Sequence, residues 1–202
     1  MIASRHLRTA LAAALLLGTA AAQATVLNTK VAVDNGYQIY ISTSNTIAGT
    51  QFGAGNAWTT AYTASTTLVS GVDYYLHVYA YDQGGVAGFL GDFALVGDKH
   101  QFANKAAALS TNTTYWRGNN TGFNAAYTGL TDVAANGQGD WGGNLSGQIS
   151  SGARWIWAGN AQSNDYAYFT TKITAVPEPT SIALLGLGLL GLAAGSRRAR
   201  RK

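Results

Sequence analysis

The sequence contains no cysteine, only two prolines and a single glutamate among its 202 residues. The absence of cysteine excludes disulfide bonds, thiol catalysis and thiolate metal ligands, so the fold has to be stabilised by packing. Charged residues are also scarce, at 11 % of the chain, against about 25 % in an average globular protein. Glycine, threonine, serine, asparagine and aromatic residues are abundant instead, and this mixture favours an extracellular β-protein over a cytosolic helical one.

The net charge of +4 comes from the two ends of the chain. Arg5, Arg8 and five residues at the C-terminus supply seven of the thirteen basic residues. Between residues 25 and 176, six basic residues stand against eight aspartates, so this region is slightly acidic. Its lysines and arginines are scattered, which excludes the continuous basic surface that a nucleic-acid-binding protein needs.

The first 24 residues predict a secretory signal peptide. Arg5 and Arg8 form its positive start, the apolar run ALAAALLLGTAAA follows, and Ala22 and Ala24 have the small-x-small spacing of a signal peptidase site. Cleavage there makes Thr25 the first residue of the mature protein. The alternative is an uncleaved N-terminal anchor, but the apolar run is short and rich in small residues.

The C-terminal residues 176–202 differ in composition from the rest of the chain. Pro177 and Pro179 flank Glu178, residues 181–195 carry no charge, and the chain ends in five basic residues: Arg197, Arg198, Arg200, Arg201 and Lys202. Fifteen residues at about 1.5 Å each span roughly 22 Å as a helix, which is short of the roughly 30 Å hydrocarbon core of a bilayer. The basic residues compensate for the short length of this segment, because Lys and Arg stay on the cytoplasmic side and their long side chains reach the membrane interface. The pattern predicts a short transmembrane segment with the body outside and the basic end inside.

The Pro-Glu-Pro tripeptide, the short apolar segment and the Arg-rich terminus together resemble the PEP-CTERM sorting signal of Gram-negative bacteria that make exopolysaccharide. The resemblance covers residues 176–202. It implies recognition by an exosortase, which is a membrane protease-transpeptidase, removal of the basic tail and delivery to the cell surface or the extracellular matrix. Prolines suit this role because they fix φ and disfavour helix in the residue before them. A plain C-terminal anchor with a proline-rich boundary is the alternative.

Residues 25–175 form the predicted domain, and their pattern is that of a β-protein. Glycine, asparagine and aspartate separate the predicted strands, which are residues 37–42, 66–71, 73–82, 88–96, 153–159 and 166–175, with 106–110 as either a short helix or a strand. This spacing, without a long amphipathic helix, predicts an all-β fold, a β-sandwich of jelly-roll type. Residues 31–172 also loosely resemble secreted bacterial modules with a galactose-binding-like jelly roll, through DNGYQIYIS, AGFLGDF and WIW. That resemblance implies a fold rather than a ligand.

Few residues of the domain can carry chemistry. A glycosidase usually needs two carboxylates, but the domain has no glutamate, and several of its aspartates, such as Asp34, stand in turn sequences. Only His77 and His100 could act as a base, and neither G-x-S-x-G nor H-E-x-x-H occurs. His77 is expected to be an ordinary surface or inter-sheet residue. The prediction is a function without catalysis or cofactor, and a membrane-anchored hydrolase with an unrecognised site is the alternative. No metal site is predicted; a structural calcium ion held by aspartate side chains and backbone carbonyls stays open, although no ligand spacing points to one.

Tryptophans in a chain with few charges suggest a glycan site, because aromatic faces stack on sugar rings while amides and carboxylates bind hydroxyl groups. The candidate ligand-binding residues lie in two loops and are Trp116, Arg117, Asn119, Asp140 and Trp141. Packing in the protein interior is an equal alternative for the two loop tryptophans. Trp155 and Trp157 are expected to share one face of their strand and to fill the core.

The predicted function is that of an exported surface or extracellular-matrix protein that is processed at its C-terminus and that binds glycan or packs in the exopolysaccharide layer without catalysis. The predicted partners are signal peptidase, an exosortase, polysaccharide and, before processing, the membrane. The predicted location is the inner membrane transiently and then the cell surface or the extracellular matrix.

Overall fold

The computed structural model describes residues 24–124, 126–143 and 145–177, together with Gly186 and Gly188. Within the described residues from 24 to 177 the chain forms β-strands and one short 3-10 helix, Gly139–Trp141. The strands are β1 (Thr25–Asp34), β2 (Gly36–Ser42), β3 (Thr50–Gly55), β4 (Tyr62–Leu68), β5 (Tyr74–Tyr81), β6 (Gly88–Val96), β7 (His100–Phe102), β8 (Ala108–Ser110), β9 (Arg117–Asn119), β10 (Thr131–Ala135), β11 (Arg154–Trp157) and β12 (Tyr166–Ala175).

The strands form two antiparallel sheets. Sheet A has the order β10-β11-β6-β1-β4, with β8 paired to β6, and sheet B has the order β3-β2-β5-β12-β7, with β9 paired to β12. Consecutive strands change sheet repeatedly, as β1 to β2, β3 to β4 and β5 to β6 do. The predicted all-β class is therefore confirmed.

The main hydrophobic core lies between the two sheets. Leu76, Val78 and Ala80 of β5 are fully buried there, and Phe89 and Phe93 of β6 join them from sheet A. This is the alternation that the sequence of β5 predicts, since successive side chains of a strand point to opposite faces of the sheet. Burial of such large apolar side chains contributes about 1.5–3 kcal/mol each to folding.

A second hydrophobic cluster covers the outer face of sheet A. The segment that contains the 3-10 helix lies over this face, and Trp141, Leu145 and Ile149 pack there with Trp155 of β11. Trp157 belongs to the main core instead, where its ring contacts Phe169 at a centroid distance of 5.7 Å. Trp155 and Trp157 are thus buried as expected, but they lie in different clusters, because β11 ends at Trp157 and its ring packs toward sheet B.

Two predicted elements, residues 66–71 and 106–110, differ most clearly from the structure in their limits. The strand predicted at 66–71 ends at Leu68 and begins earlier, at Tyr62. Residues 69–71 form a turn that Gly71 completes with a φ of +80°, a value that favours glycine. Residues 108–110 form a strand and not a helix.

The two terminal predictions fall mostly outside the described residues. Residues 1–23 of the predicted signal peptide are not among them, and of the segment 181–195 only Gly186 and Gly188 are. In the part of the chain that is described, no helix is long and apolar enough to cross a membrane.

Candidate functional site

Five tyrosines from three neighbouring strands share the outer face of sheet B. They are Tyr40 of β2, Tyr79 and Tyr81 of β5, and Tyr166 and Tyr168 of β12, and we call this surface the tyrosine face. The register aligns them in rows across the sheet: Tyr168 lies opposite Tyr79, and Tyr166 lies opposite Tyr81. Directly opposite residues of an antiparallel pair have adjacent side chains, so the ladder itself assembles the aromatic surface.

Tyr79 lies at the centre of the tyrosine face. Its ring centroid is 5.1 Å from that of Tyr168, 6.1 Å from Tyr81 and 6.3 Å from Tyr166, whose ring is nearly parallel to it at 9°. Tyr166 is 54 % exposed and Tyr79 is partly exposed. The tyrosine face is therefore most open to solvent around Tyr166, while Phe123 packs against Tyr40 and Tyr168 at centroid distances of 5.7 and 5.1 Å.

A glycine in β2 makes room for one of these rings. Gly36 lies opposite Tyr81 in the ladder, and a Cβ atom at Gly36 would come within 2.5 Å of the Tyr81 hydroxyl oxygen. The ring of Tyr81 consequently lies over the backbone of β2, which widens the tyrosine face toward the edge of the sheet.

Polar groups border the tyrosine face on both sides. Gln38 of β2 lies opposite Tyr79, and Asn119 of β9 lies opposite Tyr168. The Tyr40 hydroxyl donates a hydrogen bond to the Gln38 side-chain oxygen. Burial, and then the neighbouring Tyr168, raises the pKa of Tyr40, and the pKa of Tyr79 is raised in the same way. Both phenols therefore stay protonated at neutral pH and can donate hydrogen bonds as well as accept them.

His77 lies on the same side of sheet B but is completely buried. Its Nε2 is 2.9 Å from the Ser44 carbonyl oxygen, and its ring contacts Phe123 at 4.9 Å and Tyr127 at 6.5 Å. The expectation of a surface or inter-sheet histidine is wrong, because the connections around Ser44 and Phe123 fold over this part of the sheet. Burial lowers the pKa of His77, which keeps the imidazole neutral.

The free energy of unfolding should fall as the pH drops below about 6.5, the usual pKa of an unfolded histidine. The folded protein binds this proton less readily than the unfolded chain, so the contribution of His77 is fully present above that pH and is lost as the pH falls toward the lowered folded pKa. Urea unfolding at pH 7.5, 6.5 and 5.5 measures this dependence. The His77→Gln variant should show a flatter profile, and His100 cancels in the comparison because both proteins contain it. Identical slopes would show that His77 is not the titrating group.

Trp116, the first of the candidate ligand-binding residues, is a core residue. Its fully buried ring packs between Phe89 and Phe93, at centroid distances of 5.2 and 5.0 Å. Arg117 is exposed, and its guanidinium donates hydrogen bonds to the carbonyl oxygens of Thr114 and Trp116 at 2.9 and 2.8 Å. Trp116 thus offers no exposed face for stacking.

Asn119 fixes the connection that follows β9. Its side-chain oxygen accepts hydrogen bonds from the backbone N–H groups of Thr121 and Gly122, at 2.8 and 3.1 Å. The side chain is 7 % exposed and lies at the border of the tyrosine face. The pairing of β9 with β12 places two residues of the candidate set on the side of the tyrosine face: Asn119 opposite Tyr168 and Arg117 opposite Thr170.

The second candidate loop lies on the outer side of sheet A, away from the first. Trp141 stacks on Trp155 with a centroid distance of 4.1 Å, and its Nε1 donates a hydrogen bond to the Asp34 carboxylate at 2.9 Å. Burial raises the pKa of Asp34, the indole hydrogen bond opposes this, and the charge of Asp82 adds to the rise. Asp140 is exposed in the 3-10 helix. The structure favours packing over stacking for Trp141 as well, and it does not bring the two loops together.

A groove of about 710 Å³ crosses the outer face of sheet A. Its lining includes Lys30, Asp92, Ser110 and Ser150, and Asp92 is the one carboxylate among the described residues that line it. That carboxylate accepts hydrogen bonds from the hydroxyl groups of Ser110 and Ser150 and from the Ser150 backbone N–H, at 2.7, 2.8 and 2.7 Å. The part of the chain that the structure describes therefore does not supply this groove with the carboxylate pair that a glycosidase uses.

The predicted sorting segment, which starts at residue 176, follows the last strand directly. β12 ends at Ala175, the Val176 N–H donates a hydrogen bond to the Lys99 carbonyl oxygen at 2.9 Å, and Pro177 is exposed. The remaining residues of the predicted sorting motif, Glu178 and Pro179, and the basic tail from Arg197 to Lys202 lie outside the described residues, as does Ala22. Ala24 is exposed and Thr25 is fully buried.

Comparison with protein families decides the nature of this C-terminal segment. Residues 175–201 match the PEP-CTERM protein-sorting motif. The PEP-CTERM motif supports the exosortase-substrate class and implies export, a transient stay at the membrane and processing by an exosortase, as the sequence predicts. No curated protein and no solved structure matches the chain. The looser resemblance of residues 31–172 to galactose-binding-like modules stays a prediction.

Proposed function

We propose that this exported protein is a surface or matrix component that an exosortase processes at the PEP-CTERM motif, and that its domain binds polysaccharide without catalysis. In this proposal the two sheets form a β-sandwich of jelly-roll type. The repeated change of sheet between consecutive strands supports that assignment.

The main support for polysaccharide binding is the tyrosine face. The face of an aromatic ring is electron-rich, and the C–H groups on one side of a sugar ring are weakly positive, so the two surfaces attract each other. A phenol adds a hydrogen-bonding group at its tip. The near-parallel rings of Tyr79 and Tyr166 offer such a surface, and Gln38 at its border supplies an amide for sugar hydroxyl groups.

The arrangement of the carboxylates supports binding rather than hydrolysis. The tyrosine face is built from tyrosines and bordered by amides, and none of its five residues is an acid. In the groove of sheet A, three hydrogen bonds occupy Asp92. A binding surface of this kind holds a polymer through many weak contacts along its length.

The double variant Tyr79→Ala with Tyr166→Ala should lose most of its affinity for the exopolysaccharide of the producing organism. Truncation of central aromatic residues in binding sites typically costs about 2 kcal/mol or more, which corresponds to a loss of affinity of roughly 30-fold. Affinity electrophoresis in gels that contain the polysaccharide measures the effect. Tyr115→Ala is the matched control, since Tyr115 is 41 % exposed and lies outside the tyrosine face.

The control should migrate like the wild type, and circular dichroism should show the same β-type spectrum for all three proteins. Unchanged retardation of the double variant would exclude the tyrosine face as the binding surface. Equal loss in the double variant and the Tyr115→Ala control would do the same.

A further inference from the structure

Both ends of the strand structure meet at one end of the domain. β1 begins at Thr25 and β12 ends at Ala175. His100 of β7 joins them, because its Nδ1 is 2.9 Å from the Thr25 hydroxyl oxygen and the residue lies opposite Ala175 in the ladder. The connections 69–73 and 97–99 lie at the same end, since Leu68 is paired with Thr25 and Val96 with Val26. We call this region, with Thr25, Ala175 and these two connections, the junction end.

The chain is held firmly up to the start of the PEP-CTERM motif. The Ala175 N–H donates a hydrogen bond to the Asp73 carboxylate at 2.9 Å, and Asp73 forms a salt bridge of 2.8 Å with Lys172. The Val176 N–H is bonded to Lys99. Five residue steps then separate Val176 from residue 181, where the uncharged segment begins. Fully extended, these steps span at most about 17 Å, so a membrane-inserted tail holds the junction end close to the bilayer.

Exposed apolar side chains are concentrated at the junction end. Val69 is 58 % exposed in the connection after β4, and Val96 is 59 % exposed at the end of β6. Ile47, at 64 %, lies in the connection that leaves β2 from the same end. Most large apolar side chains of a small domain are covered, and a group of exposed ones usually marks a contact surface.

The opposite end of the domain has a different character. Asp34 ends β1, Asp82 follows β5 and Asp165 precedes β12, and none of the three forms a salt bridge within the described part of the chain. The two lysines of the junction end, Lys99 and Lys172, are paired with Asp98 and Asp73 there. An anionic membrane surface therefore repels the opposite end more than the junction end.

We propose that the junction end lies against the membrane surface while the tail is attached, with Val69 and Val96 at the level of the lipid headgroups. This inference rests on the proposed function, because it needs the C-terminal segment to act as an anchor before processing. The tyrosine face then stands away from the bilayer, since Tyr79, Tyr81, Tyr166 and Tyr168 lie in the halves of β5 and β12 that are remote from Ala175.

The absence of cysteine from the chain permits a direct test with single labels. Ser70→Cys places a fluorophore at the junction end, and Ser163→Cys places the same fluorophore in the connection before β12, at the opposite end. The full chain is produced in an exported form in a host without exosortase, so that the tail is retained. It is then reconstituted into phosphatidylcholine and phosphatidylglycerol vesicles that contain lipids with nitroxide headgroups.

The Ser70 label should lose most of its emission to the headgroup quencher, and the Ser163 label should keep it. Adding Val69→Ser and Val96→Ser to the Ser70→Cys variant should reduce the quenching without changing the flotation of the protein with the vesicles. Equal quenching of the two labels, or none, in protein that floats with the vesicles would overturn the orientation and leave the anchor intact. A second copy of the chain or a different partner on this end would give that result. Protein that does not float would refute the anchor itself, and the orientation with it.

Discussion

In a host that carries an exosortase, the Glu178→Ala variant should be exported normally but should keep its basic tail and accumulate in the membrane fraction. Glu178 is the only glutamate of the chain and stands between its only two prolines. A proline disfavours helix in the residue before it, here Val176 and Glu178, so the sequence predicts an extended segment that a processing enzyme can bind. The wild type should lose the tail and appear outside the cell. Fractionation with one antibody against the domain and another against the C-terminal residues distinguishes the two products.

A neighbouring substitution provides the control for this result. Thr180→Ala follows the Pro-Glu-Pro tripeptide directly and should be processed like the wild type. In a host without exosortase, all three proteins should keep the tail. Equal release of the Glu178→Ala variant and the wild type would show that the tripeptide is only a linker.

Replacing Trp116 by alanine should destabilise the domain by about 3–5 kcal/mol, as is typical for the loss of a buried tryptophan. The ring fills the space between Phe89 and Phe93 in the main core, so its removal leaves a cavity lined by aromatic rings. Whole domains are stable by only about 5–15 kcal/mol, so the midpoint of thermal unfolding should fall by roughly 10 °C or more. Urea unfolding of the wild type and the variant measures the difference.

Two further variants separate packing from other effects at this position. Trp116→Phe keeps an aromatic ring and removes a buried indole N–H that has no hydrogen-bond partner among the described residues, so it should cost much less than the alanine variant. Tyr115→Ala changes an exposed neighbour and should stay within about 0.5 kcal/mol of the wild type. If Trp116→Ala unfolded like the wild type and lost only polysaccharide binding, the ring would be a ligand contact and not a core residue.

The strands that sequence could predict are those with strict alternation. In β5, apolar residues at Leu76, Val78 and Ala80 alternate with aromatic or polar ones, and the structure places the apolar set in the core. The sequence pattern does not reveal β1, because the polar residue Thr29 interrupts the apolar residues on its core side, where it is buried. The Thr29 hydroxyl is satisfied by the Ala64 carbonyl oxygen at 3.2 Å, a partner on another strand that the local sequence does not reveal. The sequence pattern does not reveal β3, because two of its six residues, Gly53 and Gly55, are glycines.

One of these glycines has a packing role that only the structure shows. A Cβ atom at Gly53 would come within 2.7 Å of the Ala64 Cβ. The residue thus lets β3, at the edge of sheet B, approach β4, at the edge of sheet A. From the sequence alone, a strand that contains such glycines cannot be distinguished from a turn, because turns are also rich in glycine.

The candidate site shows a sharper limit of sequence reasoning. The sequence places Tyr79 and Tyr81 on one face of their strand, but Tyr166 and Tyr168 join them only through the pairing of β12 with β5. The loop tryptophans attract attention as ligand contacts, yet their environment is set by distant residues. Trp141 is held by Asp34, which lies 107 positions earlier in the chain. Local sequence shows the type of side chain, and the long-range pairing decides whether its face is exposed.

The intact mass of the protein recovered from the cell surface shows whether this chain is exported and loses its C-terminal tail. The mass should correspond to a chain that begins at Thr25 and lacks the basic residues from Arg197 to Lys202. A surface protein whose mass still includes those residues would show that the C-terminal tail is not removed.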